Sequence, residues 1–156
     1  MNVAYVNPFV QGAQKVIANV CSETPKLGKV FLKSQPYVLM PVSVAVEIKG
    51  AFAGEVVYTM EEPLACHIAS QMMGGMPVAA LDDISQSAVA ELGNMISGNV
   101  ATIFSGQELL VDISPPKFKK DAASGDFTFA AQVQNTVCVP LTFENGLVFE
   151  VDVMIP

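Results

Sequence analysis

Arginine is absent from this 156-residue chain, and lysine supplies all 8 of its basic residues. The formal net charge is −7 and the isoelectric point lies near 4.5. Such a chain is poorly suited to nucleic acid, because phosphate neutralisation by cations supplies most of that affinity. It also lacks the bidentate guanidinium fork with which proteins commonly clamp a phosphoryl group. No apolar run approaches the roughly 18–20 residues of a spanning helix, so no membrane segment is expected. The opening MNVAYVNPFV has no basic stretch followed by an apolar one, so no secretory signal is expected either. Cysteine is scarce: Cys21, Cys66 and Cys138 are odd in number and form no CxxC pair. That pattern fits reduced, buried thiols of a cytoplasmic protein and not a disulfide framework.

What the chain does have is apolar residues. They make up 51% of it against 15% charged, enough to build a core and too many for intrinsic disorder. The length suits one domain, residues 1–156. The first segment reads as a helix with Asn7 as N-cap and Pro8 at the first helical position. Phe9, Ala13, Val16, Ile17 and Val20 recur at helical spacing and Ser22–Pro25 closes the run. The period then changes. Val30 and Leu32 open an extended stretch, and Val42, Val44, Val46 and Ile48 alternate with smaller or polar residues as in a half-buried strand. Gly50–Gly54 turns the chain into a further strand, Glu55–Met60. A second helix runs from Glu62–Pro63 to the stop at Gly74–Gly75.

A long helix is expected from Asp82 to Phe104, with Asp83 and Gln86 at capping-box spacing. Beyond it come strands Leu109–Ile113, Phe127–Thr142 and Leu147–Ile155, the last two joined by a two-residue Asn145–Gly146 hairpin. Lys117, Lys119 and Lys120 read as a solvated strand end. The order α-β-β-β-α-α-β-β-β predicts an α+β domain with a largely antiparallel sheet. Its two similar blocks hint at an internal duplication.

On the wheel of the long helix, Ala88, Val89, Leu92, Met95, Ile96, Val100 and Ile103 share one arc and are expected to face the core. Ser87, Glu91, Asn94 and Gly98 lie opposite, which makes Glu91 and Asn94 neighbours on the exposed face. An amide can orient a water for in-line attack, and a carboxylate can pair with a lysine or accept a proton. The same spacing also occurs on ordinary solvated helix faces, so spacing alone leaves both readings open. His67, the only histidine, diverges by about 100° from Cys66 on a helix and makes a poor dyad with it. Too few ligands stand at zinc spacing, and no GxSxG elbow occurs. Met72, Met73 and Met76 read as core filling before the long helix, and Asp82 and Asp83 as caps.

The run Ser87-Ala-Val-Ala-Glu91-Leu-Gly-Asn94-Met-Ile-Ser-Gly98, with Asp112-Ile-Ser-Pro115-Pro116 downstream and Met72-Met73-Gly74-Gly75-Met76 before it, resembles the CheC/CheX/FliY family of chemotaxis phosphatases. CheC members carry two such helices, whereas here the first helix has Gln11, Gln14 and Asn19 but no acid-x-x-Asn pair. One site in one domain is similar to the CheX branch. The resemblance implies a CheC/CheX-like fold and dephosphorylation of the phospho-aspartate of the response regulator CheY. It further implies Asn94 as the residue that positions water, Glu91 as the partner of the regulator's lysine, and Ser87 and Gly98 at the border of the contact. On the same grounds Mg²⁺ belongs to the regulator, this chain needs no cofactor of its own, and a homodimer forms through sheet edges. Two other readings stay open: a non-catalytic binding module related to the flagellar switch proteins, and a target receiver domain other than CheY.

Overall fold

The computed structural model describes residues 3–34, 37–129 and 132–155. In chain order the elements are α1 (Val3–Cys21), β1 (Lys26–Leu27), β2 (Phe31–Ser34), β3 (Val42–Gly50), β4 (Gly54–Met60), α2 (Glu62–Met72) and α3 (Asp83–Gly106). Then follow β5 (Val111–Ile113), β6 (Lys117–Lys120), a 3₁₀ turn at Ser124–Asp126, β7 (Asn135–Thr142) and β8 (Val148–Met154).

All eight strands join one antiparallel sheet in the order β1-β7-β8-β4-β3-β5, with β2 also on β7 and β6 also on β3. The predicted duplication is visible in this pairing. Each half folds its last two strands into a hairpin, β3–β4 or β7–β8, and gives its first two short strands to the other half's hairpin. The halves meet where β4 pairs with β8, Tyr58 opposite Val151.

Several local signals yield to tertiary packing. Helix α1 begins at Val3 and carries Pro8 inside it, so Asn7 is not its cap. The extra turn is held by Tyr5, whose ring lies 4.9 Å from Phe52, and by buried Val6. The strand expected over 127–142 forms only from Asn135; residues 130 and 131 of it lie outside the described set. Lys117–Lys120 is a strand in its own right on β3, not the end of β5, because Pro115–Pro116 breaks the ladder between them. The last hairpin has a three-residue loop, Glu144–Gly146. Phe143 N–H donates to Leu147 O at 2.9 Å, and Gly146 takes the left-handed conformation (φ +85°) that follows a type I turn in such loops.

The three helices cover one sheet face, and Val44, Val46, Tyr58, Leu92, Ile96 and Val151 lie in the core between them. The second face is also covered, so β3 is buried on both sides where alternation predicted one. There Tyr37 and Phe127 pack on Ala45, Val57 and Met154. Phe129 N–H donates to Glu55 Oε1 at 2.8 Å and straps the 3₁₀ segment down. Beneath this cover lies a polar cluster. Lys33 from β2 pairs with Glu150 and reaches Asp152 at 3.5 Å, while the Tyr37 hydroxyl donates to Asp152.

Burial, reinforced by the Glu150 charge, pushes the Asp152 carboxyl up to about 8. In the unfolded chain an Asp titrates near ~3.9. Between those values the folded chain keeps a proton that the unfolded chain has lost, so this group's contribution falls as pH rises from about 4 to about 8 and is level above. Urea denaturation at pH 5 and pH 8 should therefore show a loss of stability at the higher pH that Asp152→Asn largely removes. Equal pH dependence in both proteins would refute this role for Asp152.

Candidate functional site on helix α3

Helix α3 begins where Asp82 accepts the Ser85 backbone N–H at 2.8 Å and Ser85 Oγ accepts the Asp82 N–H at 2.8 Å. The capping box is thus Asp82–Ser85 and not Asp83–Gln86: with Asp82 as the N-cap the third helical position is Ser85, and Gln86 lies one residue beyond it. The Gln86 side chain donates instead to Leu81 O at 3.4 Å.

The seat of the helix is set at Gly93. A Cβ there would stand 2.7 Å from Val44 Cγ1 and 3.2 Å from a Tyr58 ring carbon, closer than side chains pack. One turn on, the Ser97 and Tyr58 hydroxyls are 2.8 Å apart in a fully buried contact. Phe104 closes the far end against Phe52, ring centroids 5.1 Å apart. These anchors fix which face is left outside. Glu91 is exposed and Asn94 is half-buried on that face. Among the described residues neither side chain takes a hydrogen-bond partner from this chain.

Ser87 is exposed, and its hydroxyl is engaged by the Asp83 carbonyl (2.9 Å). Gly98 is half-buried, and a Cβ on it would meet nothing within 4 Å. Of the two downstream prolines, Pro116 arrives at the same place. Pro116 and Phe118 join Asp83, Gln86, Ser87 and Ala90 around a shallow hollow of about 310 Å³. Ser114 holds that connection by accepting the Glu47 N–H at 2.9 Å. The predicted core arc needs one correction: Met95 is 38% exposed, whereas Leu92 and Ile96 are fully buried. The anchor at Gly93 turns Met95 outward, and Ala88 and Ile103 are only half-buried. Of the methionines before α3, Met72 and Met73 pack on the core and Met76 is exposed.

Other reactive groups lie elsewhere. His67 on α2 faces Glu23 at 3.6 Å and the edge of Phe143, and burial pushes the Cys66 thiol up. The cysteines are free and buried. Larger hollows, about 670 and 710 Å³, lie by Leu32 and by His67, and neither is lined by Glu91 or Asn94. Cys138, Glu150 and Asp152 gather their ligand atoms within 4.8 Å, but Lys33 already stands there as the cation. The anchors Gly93, Tyr58 and Ser97 and the cluster at Lys33 escaped the sequence reading. A glycine inside an otherwise strong helix was the one available signal.

Helix α3 thus carries, on the outer face of an α+β fold built from two similar halves, a carboxylate and a carboxamide without a partner among the described residues. The family described as chemotaxis phosphatase CheX matches residues 42–141, from β3 into β7, and the chain belongs to this family. The CheY-P phosphatase CheX of Thermotoga maritima is 32% identical over 116 residues, 74% of this chain and 75% of that protein. The solved chemotaxis protein CheX of Desulfovibrio desulfuricans superposes with a TM-score of 0.81 at 20% identity, covering 98% and 99% of the two chains. A solved CheX–CheY–BeF₃–Mg²⁺ complex from Borrelia burgdorferi is similar at 27% identity, with a TM-score of 0.75 and 97% of each chain covered. Among the described residues no helix is long and apolar enough to cross a membrane.

Gly93→Ala should lower stability by about 1–3 kcal/mol, the usual cost of forcing extra volume into a packed core. Gly98→Ala should instead raise stability by about 0.5–1 kcal/mol, because a Cβ there meets no neighbour and alanine suits a helix interior better than glycine. Chemical denaturation of the two variants side by side checks this contrast; a Gly93→Ala chain as stable as the parent would mean that the helix is not seated at that contact.

Proposed function

We propose that this chain, acting as one CheX-like domain, hydrolyses the aspartyl phosphate of a CheY-type receiver domain by inserting Glu91 and Asn94 into the receiver's active site. The observation that carries the reading is the pair itself: adjacent on one helix face, unpartnered among the described residues, and held by a helix whose seat is fixed at Gly93. The Asn94 amide both donates and accepts, so it can hold a water in line with the phosphorus. The water oxygen then bonds to phosphorus as the bond from phosphorus to the aspartyl oxygen breaks. Inorganic phosphate leaves and the receiver's carboxylate is regenerated. Glu91 accepts a charge-assisted hydrogen bond from the receiver's lysine and so orients the docked helix. Ser87 and Gly98 border the contact, and the small surface at Gly98 lets the partner come close.

Mg²⁺ and the phosphoryl ligands are assigned to the receiver, which fits a chain with no arginine and a helix α3 whose only charged residues are the acids Asp83 and Glu91. The three buried thiols fit a cytoplasmic setting. The binding-module reading uses the same helix and differs only in leaving the phosphate in place.

Phosphate release from phosphorylated CheY with Mg²⁺ decides between the two. Wild-type chain should accelerate release, and Asn94→Ala or Glu91→Ala should each lose about 10²–10³-fold in rate, the scale seen when one positioned polar group is removed. Tight binding without acceleration would make the chain a docking module instead.

A homodimer belongs to the same proposal, and the two sheet edges are unlike. At the β5–β6 edge Lys117, Lys119 and Lys120 discourage pairing. At the β1–β2 edge Leu27, Phe31 and Leu32 are exposed, Leu32 at 62%. The second edge is therefore the one assigned to the partner copy. Light scattering should find a dimer that Leu32→Lys converts to monomer; a dimer that survives the substitution would place the contact elsewhere.

A further inference from the structure

Of the large exposed apolar side chains, one group lies along the β1–β2 edge, assigned above to a second copy, and Val38, Met76 and Leu110 stand on connecting chain. Two others stand on α3 itself, where Ile84 is 68% exposed and Met95 38%. On a helix these two residues stand almost in line, about three turns and roughly 16 Å apart. Glu91 falls between them on the same line, and Asn94 is set to one side. The polar pair is thus bracketed by apolar side chains, with the hollow of Ser87, Ala90, Pro116 and Phe118 alongside.

We propose that Ile84 and Met95 are the apolar anchors by which a receiver domain is gripped at this site, setting affinity and choice of receiver without taking part in the chemical step. The proposal rests on the receiver-phosphatase reading above. Charge selects the occupant. The helix carries two acids and no basic residue. A second copy laid on this face would bring Glu91 and Asp83 against acids, an unfavourable desolvated contact. A receiver brings an ammonium to Glu91, and its loops can cover the line on either side. A side chain that a partner buries completely in a well-packed pocket can carry a large share of an interface's energy, far more than the contacts around it. Because both side chains point away from the core, removing them leaves the packing of α3 intact.

The test measures Kd for beryllofluoride-activated, Mg²⁺-loaded CheY, and KM and kcat for phosphorylated CheY. It compares wild type, Ile84→Ser, Met95→Gln, the double variant, and the conservative Ile84→Val and Met95→Leu. Each polar variant should raise Kd and KM about tenfold, the scale of one interface anchor, with kcat at saturation within about twofold of wild type. The conservative variants should restore affinity. Unchanged Kd and KM in the double variant, with a wild type that loses activity on Asn94→Ala, would overturn the anchors and leave the phosphatase reading standing. A fall in kcat at unchanged KM would overturn them as well. If wild type binds the regulator but does not hydrolyse its phosphate, the catalytic reading fails, and the Kd series alone decides the anchors. Absence of both binding and hydrolysis would overturn the two together.

Discussion

The close approach of α3 to the sheet at Gly93 is the constraint on which the site depends. No side chain fits between the helix and Val44 at that point, and Tyr58 rises from β4 to meet Ser97 one turn away. Once those two contacts are made, the rotation of the helix about its axis is determined. Glu91 and Asn94 are turned outward, Met95 follows them, and Leu92 and Ile96 go in. The polar pair needs no bracing from neighbours because its backbone is braced from below. The two side chains are left without a partner among the described residues while the backbone that carries them is held from below.

The opposite sheet face works differently. It buries Glu150 and Asp152 against a half-buried Lys33, and its cover comes from irregular chain, not helices. Such a cluster adds little net stability compared with apolar packing, but its hydrogen bonds are directional. It fixes how β2 and the chain around Tyr37 lie on β7 and β8.

The sequence made the helices and most strands legible because their apolar periods are long and clean. Asn94, Glu91, Ser87 and Gly98 could be placed on one face by counting, and the structure puts them there. What could not be read was anything decided by contact across the fold. Asn7 and Pro8 form a plausible helix start, yet Tyr5 and Val6 find aromatic and core neighbours that extend the helix past it. A wheel assigns Met95 to the apolar arc, because counting cannot know that the glycine two residues earlier sets the rotation. The strand at Lys117–Lys120 has few apolar residues and exists because β3 offers an unpaired flank. Alternation in Val42–Ile48 gives the strand but not the cover on its second face, which arrives from residues far along the chain.

The exchange of short strands between the two halves has a consequence for how the molecule is made. Strand β8 lies at the centre of the sheet, between β4 and β7, yet it follows every other strand in the chain. During synthesis α1, α3 and β4 emerge before the strand that completes the surface beneath them. Helix α1, which packs against β8, has no strand there to rest on until Val148–Met154 clears the ribosome. Native contacts of this range close late and slowly, with apolar surface exposed meanwhile. The symmetry that joins the halves so firmly also means that neither can finish folding alone.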